Sequence, residues 1–502
     1  MKLYEICAET EYRCLKGSAE IEIRGIAYDS RKTEAGFVFV CLTGTAADGH
    51  DYISEAVSAG AVAVVVEKAE RADLVPEGIA VLMVRSGREA LARMSAAFFG
   101  YPARQLTTIG ITGTNGKTTT ACMIWEILKV AGKKAGLMGT LGVITGGGRT
   151  GTRNTTPESY EIHRLLREMV SAGCEYVVME VSSQGLKLGR TAGIVFDYGV
   201  FTNLSQDHIS PAEHHSFEEY LACKSLLFRQ CRVGVLNRDD PHCRKLLENH
   251  TCQTRFFSAL PLKYSRETVD LQAVSACLVQ DEGNLGVEFY VRGLLEGMAK
   301  ILMPGRFFVY NALAAMLVCR LAGIDGTVIL NGLKQVRVRG RMEHLQIGRD
   351  YKIVIDYAHN RVSTEKSLNA LLQYRPRRLL CVFGCGGNRA RDRRFAMGEI
   401  VGKLADCCIL TCDNPRYESV EAINEDIKEG IRKSQGTCIV INDREEAIAY
   451  CMRRAKKGDM IVLLGKGHED YQEIRGTRYH FDEREAVQRI LEGEKRTERT
   501  GR

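Results

Sequence analysis

The sequence predicts an α/β protein of three domains whose sheets are mostly parallel. Its 502 residues are too many for one compact core and correspond to roughly three domains of about 150 residues each. Strand-length apolar runs alternate with helix-length amphipathic stretches, and this alternation is typical of parallel sheets with helices on both faces. A glycine-rich segment between an apolar run and a helical one indicates a phosphate-loop type of domain near the middle of the chain.

The first predicted domain spans residues 1–98. It contains short strands and helices, including the strand "FVFVCL" and the helix-to-strand segment "DYISEAVSAGAVAVVVEK", and it closes with the helix "REALARMSAAFFG". The next segment, "GYPARQ", combines glycine with proline and is predicted to be a linker. The N-terminal block is therefore expected to be an α/β domain of its own.

The second predicted domain, residues 99–336, begins with a strand, a glycine loop and a helix: "LTTIGIT", "GTNGK" and "TTTACMIWEILKVAG". Two later apolar runs, "YVVMEV" and "YGVFTNL", are predicted to be buried strands. The third domain, residues 337–502, alternates again, with strands at "KIVIDYA", "RLLCVFGCG", "CCILTCDN", "TCIVIND" and "MIVLLGKG". We expect a P-loop ATPase-like central domain and a Rossmann-like C-terminal domain.

Composition excludes several classes of function. No apolar run approaches the ~20 residues that span a bilayer, and the N-terminus lacks the continuous apolar region of a signal peptide, so we expect neither membrane insertion nor export. Eighteen cysteines without a CxxC pair fit a reducing compartment, and we expect a cytoplasmic protein. The net charge of +7 is spread along the chain, which favours small anionic ligands over nucleic acid.

The strongest local signal is "GITGTNGKTTT", Gly110–Thr120. It follows a strand and opens a helix, so its glycines allow backbone N–H groups to face phosphates, Lys117 to reach the outer phosphates and the Thr118 hydroxyl to bind magnesium. The spacing departs from the strict Gly-x-x-x-x-Gly-Lys pattern, which requires glycine where Ile111 stands. A flexible glycine turn is the alternative, but such a turn would not require lysine followed by threonine.

A second notable segment is "DNPR", Asp413–Arg416, directly after the predicted strand "CCIL". Asparagine and proline are turn residues, so the segment is readily explained as a turn. Taken alone, these residues favour the turn. Open parallel sheets also bind ligands at the carboxyl ends of their strands, so a ligand contact is a second possibility, and choosing between the two requires the rest of the sequence.

The loop "TGTNGKTT" resembles that of the Mur ligase family, the ATP-dependent enzymes that build the peptide of bacterial peptidoglycan. Further motifs of the family follow in order over the whole chain, and they are closest to those of members that add the third residue of the peptide. These motifs are "EVSSQGL", "FTNLSQDH", "YLACKSLLF", "YNALAA", "GRME", "DYAH", "FGCGG", "DNPR" and "GKGHE".

The chemistry of such a ligase favours metal ions and fixed cations. ATP first phosphorylates a carboxylate, and an amine then attacks the acyl phosphate, so charge builds on phosphoryl oxygens in both steps. Glu180 and His208 each follow an apolar strand and are expected beside the loop as magnesium ligands, with Thr118 as a third. A single histidine after a strand is more often structural, but the position of His208 at one strand end with Glu180 at another favours the metal role.

Lys224 lies on a helix that begins with a predicted capping box, Ser216–Glu219, on the same face as Tyr220 and Phe228. A helical lysine is ordinarily a solvated surface charge. The resemblance implies instead that Lys224 is carbamylated, which converts a cation into an oxygen-bearing anion that binds a second magnesium ion. Carbamylation requires the neutral amine, which neighbouring cations favour.

The remaining site residues are implied by the resemblance, position by position. Lys117, Lys224, His208 and Glu180 form the expected catalytic set. ATP contacts are expected from Gly113, Thr114, Asn115, Gly116, Lys117, Thr118, Thr119, Asn311, Arg341 and Asp356. Contacts to the UDP-muramoyl-peptide are expected from Tyr28, Ser30, Thr45, Ala46, Ala47, Asn154, Thr155, Thr156, Ser182 and Arg190, which makes the first domain a uridine-nucleotide-binding domain.

Three strand ends are expected to surround the acceptor amino acid. The residues implicated are Arg389, Asp413, Asn414, Pro415, Arg416, Gly465 and Glu469. An acceptor with amino acid groups at both ends needs a cation for its distal carboxylate, and an arginine fork suits a carboxylate better than lysine does. With lysine as acceptor, Arg416 would face nothing. The resemblance agrees, because "DNPR" is associated with members that add meso-diaminopimelate, so this acceptor is predicted.

The resemblance thus implies that the substrates are UDP-muramoyl-dipeptide, ATP and diaminopimelate, with Mg²⁺ as cofactor, and that the protein is a monomer without nucleic-acid or membrane partners. The chain departs from the family pattern at Leu188, Phe308, Asn360, Asn388 and Ala390. A diverged paralogue that adds L-lysine or another amino acid remains an alternative. So do a folate-type polyglutamate synthase, which would lack "DNPR", and a noncatalytic nucleotide-binding protein, which would be expected to lose the catalytic set.

Overall fold

The structure is a computed structural model that describes residues 1–44, 47–152, 154–206, 209, 213–260, 269–281 and 283–500, with side chains described except at 281 and 494–500. The chain divides into two compact units. The first comprises Met1–Gln272, Arg292–Glu296 and Tyr310–Gly332, and the second comprises Ala273–Val291, Gly297–Val309 and Leu333–Arg502.

The N-terminal part of the first unit is a five-stranded sheet with helices packed against it. Its order is β1-β5-β4-β3-β2, and all neighbours are parallel except β1 and β5. The elements are α1 (Leu3–Ile6), β1 (Arg13–Lys16), β2 (Gly25–Ala27), β3 (Phe37–Val40), α2 (Ile53–Ser58), β4 (Ala63–Val66), β5 (Ala80–Met83) and α3 (Gly87–Phe98). The four residues of β4 are fully buried because the sheet is covered on both faces.

The predicted linker "GYPARQ" contains a 3-10 turn at Pro102–Gln105. Proline begins this turn, where its missing N–H has no partner to lose, and Tyr101 before it adopts a positive φ of 51°. The segment is therefore ordered by its proline and does not extend freely between domains.

The rest of the first unit is built around a sheet in the order β13-β12-β11-β6-β10-β7-β8-β9, parallel except at β8 and β9. The strands are β6 (Thr107–Thr112), β7 (Ala135–Gly139), β8 (Gly142–Ile144), β9 (Arg149–Thr150), β10 (Tyr176–Glu180), β11 (Phe196–Phe201), β12 (Cys231–Asn237) and β13 (Gln253–Ser258). The helices are α4 (Lys117–Val130), α5 (Ser159–Ser171), α6 (Ser183–Lys187), α7 (Phe217–Ser225) and α8 (Cys243–Leu246). Strand β6 lies between β10 and β11, so the glycine loop leaves the middle of the sheet.

Five elements follow along the chain. They are β14 (Leu271–Asp281), β15 (Asn284–Gly293), β16 (Gly297–Ile301), α9 (Phe308–Leu321) and α10 (Gly326–Gln335). Strands β15 and β16 pair in antiparallel register. Helix α9 buries nearly all its residues, which explains why it is apolar around its whole circumference.

The second unit contains a six-stranded sheet in the order β17-β18-β22-β19-β20-β21, parallel except at β17, and a separate hairpin, β23–β24. The strands are β17 (Glu343–Leu345), β18 (Lys352–Asp356), β19 (Leu379–Phe383), β20 (Cys407–Leu410), β21 (Cys438–Val440), β22 (Met460–Leu464), β23 (Tyr471–Ile474) and β24 (Thr477–His480). The helices are α11 (Arg361–Leu372), α12 (Asp392–Leu404), α13 (Val420–Lys433), α14 (Arg444–Arg454) and α15 (Glu483–Thr500). The predicted α/β class and mostly parallel sheets are confirmed.

A buried ion pair fixes the carboxyl ends of two of these strands. Arg444 and Glu483 are fully buried and lie 2.7 Å apart. Arg444 also donates to the carbonyl of Cys412, 3.1 Å away after β20, and to that of Leu464, 2.8 Å away at the end of β22. One guanidinium therefore holds the start of both "DNPR" and "GKGHE" against α15.

Among the helices that the structure describes, none is both long and apolar enough to cross a membrane.

His163 on α5 provides a test of how burial affects stability against acid. Neither ring nitrogen has a partner among the described residues, and burial lowers the pKa of His163 to about 4. Because the folded pKa lies below the unfolded value, stability is lost as the pH falls from about 6.5 towards 4. Between pH 7 and pH 5, the free energy of unfolding should therefore fall by about 2 kcal/mol more in wild type than in His163→Leu.

Urea denaturation at the two pH values measures this effect. The control is His480→Gln. His480 is exposed and Glu485 raises its pKa, so replacing it cannot reduce the loss of unfolding free energy as the pH falls. Equal pH dependence in wild type and His163→Leu would show that His163 is not kept neutral by the fold.

Candidate active site

The glycine loop connects β6 to α4, as the sequence predicts. Gly113 and Gly116 have φ values of 149° and 85°, which L side chains rarely adopt. A Cβ at Gly113 would lie 1.9 Å from Thr202 Oγ1, and one at Gly116 would lie 2.2 Å from Asn311 Nδ2. Both positions therefore require glycine, because Thr202, directly after β11, and Asn311 of α9 lie against the loop backbone.

Thr118 and Glu180 form the buried oxygen pair of the site. Glu180 ends β10 and is 2% exposed. Its Oε2 accepts a hydrogen bond of 2.9 Å from Thr118 Oγ1, and its Oε1 accepts one of 2.8 Å from the backbone N–H of Thr140. Hydroxyl and carboxylate oxygens are the ligands that Mg²⁺ prefers, so this donor set fits a magnesium ion.

Two lysines converge on one carbonyl of the loop. Lys117 Nζ lies 2.8 Å from Gly113 O and 3.0 Å from Thr114 O, and Lys224 Nζ lies 2.9 Å from the same Gly113 O. Lys224 is 1% exposed, with its Nζ 4.4 Å from the centroid of the Tyr220 ring. It is therefore not the solvated surface charge that its helical position alone would suggest, and it shares the Tyr220 face of α7 as predicted.

The predicted capping box at the start of α7 forms only in part. Ser216 Oγ accepts from the N–H of Glu219, but Glu219 accepts from the N–H of His215 at 2.7 Å, where the box would require that of Ser216. The Lys187 ammonium, 2.7 Å away, draws the Glu219 carboxylate and holds its pKa at about 2. Glu219 also lies near His214 and Cys223 in a group of metal-ligand type, but Lys187 beside it makes the group unfavourable for a cation.

A chain of hydrogen bonds connects Glu180 to the predicted muramoyl-peptide residues. Thr156 Oγ1 donates to Glu180 O at 3.0 Å and lies 3.1 Å from Ser182 Oγ. Arg190 Nη1 donates to Thr156 O at 2.9 Å. Thr155 Oγ1 lies 3.1 Å from Thr140 Oγ1, which itself donates to Glu180. The structure therefore brings Thr155, Thr156, Ser182 and Arg190 together beside the phosphate loop, with Asn154 exposed next to them.

The predicted uridine contacts are described only in part. Tyr28 packs near Tyr160 of α5 with ring centroids 6.2 Å apart, and burial raises the pKa of Tyr28 to about 12. Ser30 is buried and Ala47 is exposed. Thr45 and Ala46 lie outside the described residues, as does the predicted metal ligand His208.

The predicted ATP residues fall in both units. In the first, Asn311 Nδ2 donates to Thr120 Oγ1 at 3.1 Å and to Gly116 O at 3.4 Å, and Thr114 and Thr119 are buried. In the second, Asp356 ends β18 and accepts from Ser367 Oγ at 2.5 Å, and burial raises its pKa. The Arg341 guanidinium lies 4.7 Å from the centroid of the Tyr357 ring.

The carboxyl ends of β20 and β22 bring the predicted acceptor residues together. Asn414 Nδ2 donates to Glu469 Oε2 at 2.8 Å, and Lys466 Nζ lies 3.3 Å from both Glu469 Oε2 and Asn414 Oδ1. A Cβ at Gly465 would lie 2.5 Å from Asp413 Oδ2. Burial raises the pKa of Glu469, an effect that Lys466 opposes. These contacts gather amide, carboxylate and ammonium groups in one place.

The predicted surroundings of the Arg416 guanidinium need correction. The sequence suggested that its guanidinium would face nothing without a distal carboxylate from the acceptor. Instead Nη1 donates to Gly387 O at 2.8 Å, and Nε lies 3.3 Å from Glu473 Oε2. The reason is the hairpin β23–β24, which follows "GKGHE" and returns beside "DNPR". Pro415 is buried, whereas Arg389 is exposed and has no hydrogen bond or ion pair with a described side chain.

Several site residues were not identified from the sequence. Thr140 follows β7 and holds Glu180, Lys466 is fully buried between Asn414 and Glu469, and Tyr357 OH lies 3.5 Å from Glu469 Oε1. Lys466 and Tyr357 stand inside "GKGHE" and "DYAH", so their position at strand ends was an available signal. Nothing in the sequence around Thr140 distinguishes it from a turn threonine.

Two departures from the family pattern have local structural roles. Asn360 caps α11, because its side chain accepts from the N–H of Ser363 at 2.9 Å. Asn388 adopts a φ of 52°, a conformation that asparagine tolerates better than most residues, and its Oδ1 accepts from the N–H of Tyr417 at 3.2 Å.

Comparison with known proteins defines the class to which this fold and site belong. Three family models match successive parts of the chain: the Mur ligase family catalytic domain at residues 22–99, the Mur ligase middle domain at 111–319 and the Mur ligase glutamate ligase domain at 340–467. With the full-length relatives described next, these matches show that the chain belongs to the Mur ligase family.

Two similar relatives carry the name UDP-N-acetylmuramoyl-L-alanyl-D-glutamate--2,6-diaminopimelate ligase. Those of Clostridium tetani and Caldanaerobacter subterraneus subsp. tengcongensis are each 40% identical over 495 residues, or 98% of this chain and 99% of theirs. A solved structure with the same enzyme name is 28% identical with a TM-score of 0.69, covering 98% of this chain and 99% of that one.

More distant structures share the fold. The MurF ligase of Thermotoga maritima in complex with ADP is 22% identical with a TM-score of 0.59, over 94% of this chain and 98% of its own. Mycobacterium tuberculosis folylpolyglutamate synthase is 17% identical with a TM-score of 0.60, over 75% of this chain and 92% of its own.

Proposed function

We propose that the protein is an ATP-dependent ligase that joins meso-diaminopimelate to UDP-N-acetylmuramoyl-L-alanyl-D-glutamate in peptidoglycan synthesis, with release of ADP and phosphate. The observation that carries this proposal is the convergence of Lys117 and Lys224 on Gly113 O beside the buried Thr118–Glu180 pair. The full-length relatives named as diaminopimelate ligases support the substrates.

In this proposal the phosphate loop binds the nucleotide. The backbone N–H groups of the loop and Lys117 hold the phosphates, and Asn311 and Asp356 contact the adenosine. Thr118, Glu180, His208 and Lys224 as its carbamate would hold Mg²⁺, which neutralises charge on the phosphoryl oxygens. The Lys224 amine lies 2.9 Å from Gly113 O, and this position beside the phosphate loop supports its proposed role as a metal-binding carbamate.

The muramoyl-peptide carboxylate is the nucleophile of the first step. One of its oxygens attacks the γ-phosphorus of ATP, the bond to the β,γ-bridging oxygen breaks, and ADP leaves. Thr155, Thr156, Ser182 and Arg190 are proposed to orient this substrate, since their hydrogen bonds form two branches, through Thr140 and through Thr156, that meet at Glu180. The acceptor amine then attacks the acyl carbon and expels phosphate.

The acceptor is proposed to bind at the ends of β19, β20 and β22. Arg389 and Arg416 suit its distal carboxylate, while Asp413 and Glu469 suit its distal ammonium, with Asn414, Pro415 and Gly465 shaping the site. All eighteen cysteines are free thiols, which supports our further proposal of a cytoplasmic protein. We also propose that it acts as a monomer.

Isotope transfer tests the acyl-phosphate step. UDP-muramoyl-dipeptide labelled with oxygen-18 in its terminal carboxylate should transfer one labelled oxygen to each released phosphate, because that oxygen becomes the bridge to phosphorus. Mass spectrometry of the phosphate measures the label. Unlabelled phosphate released during ligation would contradict an acyl-phosphate intermediate.

Arg416→Ala tests the acceptor assignment. A charged contact to a carboxylate is worth about 1.5–3 kcal/mol, so the KM for diaminopimelate should rise by roughly ten- to a hundredfold while the KM for ATP stays nearly unchanged. Phosphate release at varied acceptor concentration measures the first value, and phosphate release at varied ATP concentration measures the second. The control is Arg453→Ala, at an exposed position near the end of α14. An unchanged KM for diaminopimelate would mean that "DNPR" is only a turn.

A further inference from the structure

The backbone of Arg416 is held in an unfavourable conformation by the hairpin β23–β24. Its φ is 52°, in the left-handed region that non-glycine residues seldom adopt. The N–H of Arg416 donates to Glu473 O at 3.0 Å, and the N–H of Arg475 donates to Arg416 O at 2.7 Å. Such a conformation persists only where the surrounding contacts determine it, and residues in rarely populated backbone conformations cluster at functional sites.

The side chain of Arg416 is fixed by the same hairpin. Glu473 Oε2 lies 3.3 Å from Nε, while Gly387 O accepts a hydrogen bond of 2.8 Å from Nη1. A guanidinium carries five N–H donors, so these two contacts still leave donors for a carboxylate. The side chains of Arg416 and Glu473 are each about four-fifths buried, which limits the alternative rotamers of Arg416.

Glu473 also contacts the neighbouring residue of the acceptor segment. Its backbone N–H donates to Asn414 Oδ1 at 2.9 Å, and Asn414 in turn donates to Glu469. One residue of the hairpin thereby orients the amide of Asn414 through its backbone and the guanidinium of Arg416 through its carboxylate.

We infer that Glu473 is a positioning residue that fixes Arg416 for the distal carboxylate of the acceptor and so contributes to acceptor specificity. This inference rests on the proposed function. Arg416 can bind the distal carboxylate of diaminopimelate, which L-lysine lacks. Loss of Glu473 should therefore weaken diaminopimelate use and leave lysine use unchanged, whereas a purely structural defect would affect both, together with ATP.

The test is steady-state kinetics of Glu473→Gln, which keeps the shape of the side chain but removes its charge. The KM for diaminopimelate should rise by about five- to twentyfold, as expected for a weakened charged contact, with kcat and the KM for ATP within about twofold of wild type. The ratio of diaminopimelate to lysine incorporated from a mixture should fall by a similar factor. Glu473→Asp, which retains the charge, should fall between wild type and Glu473→Gln.

The matched control is Arg478→Gln in the same hairpin, where the side chain stacks on Tyr471 with its guanidinium carbon 4.2 Å from the ring centroid. It should leave the KM for diaminopimelate unchanged. An unchanged KM in Glu473→Gln would overturn the inference, and a lower one would show that Glu473 competes with the acceptor for Arg416. A raised KM for ATP would also overturn it, by indicating a structural role. If wild type forms no product with diaminopimelate, the proposed function itself fails.

Discussion

Lys224→Ala should lower the rate of ligation by about 10²- to 10³-fold or more, the cost of removing a fixed electrostatic contact to a transition state. Lys224 is 1% exposed and lies 2.9 Å from Gly113 O in the phosphate loop, so its loss removes a charged or carbamylated group from the reacting centre. Phosphate release under saturating substrates measures the rate. The thermal unfolding temperature should remain close to that of wild type, because the proposed role is in holding a metal ion.

Two controls separate this role from a general loss of charge. Lys129→Ala removes an exposed lysine whose only described ion pair is with Glu126, and it should keep full activity. Wild type incubated with carbon-13-labelled bicarbonate should give a carbamate signal in NMR that Lys224→Ala lacks. Near wild-type activity of a folded Lys224→Ala protein, or the same carbamate signal in both proteins, would contradict the assignment.

Arg444→Met should produce the largest loss of stability, about 3–5 kcal/mol in the free energy of unfolding of the second unit. The substitution leaves Glu483 buried without its cation and frees the carbonyls of Cys412 and Leu464. Urea denaturation followed by circular dichroism measures the change. The double variant Arg444→Met with Glu483→Met should recover much of the loss, because two apolar side chains then replace the buried pair.

Arg489→Met is the matched control for Arg444→Met. Its guanidinium pairs with Glu445, but the two side chains are 50% and 36% exposed, so its loss should cost no more than about 1 kcal/mol. If Arg444→Met and Arg489→Met destabilise the protein equally, the buried pair does not hold the ends of β20 and β22 as we describe.

The fold could be predicted largely because its strands are continuous apolar runs. The residues of β19 and β22 are all buried, and a strand covered on both faces leaves an unbroken apolar signature in the sequence. Glu180 could be placed for the same reason, because it ends such a run. Lys117 and Thr118 follow from the order of strand, glycine loop and helix.

The contacts that the sequence could not give are those between segments far apart in the chain. The pairing of Arg416 with Glu473 depends on a hairpin that lies 57 positions later in the chain. Glu219 was expected to complete the cap of its own helix, but its carboxylate pairs with Lys187 of α6. The burial of Lys224 has the same origin, since a lysine on a short helix carries no local sign of what packs over it.

The most direct test of the proposed function is a competition among acceptors. Purified protein is incubated with UDP-N-acetylmuramoyl-L-alanyl-D-glutamate, ATP, Mg²⁺ and an equimolar panel of amino acids that includes meso-diaminopimelate and L-lysine, and the product is identified by mass spectrometry. We predict a single tripeptide product that contains diaminopimelate, formed with one ADP for each amide bond. Incorporation of lysine equal to or above that of diaminopimelate, or the absence of any ligated product, would contradict the account.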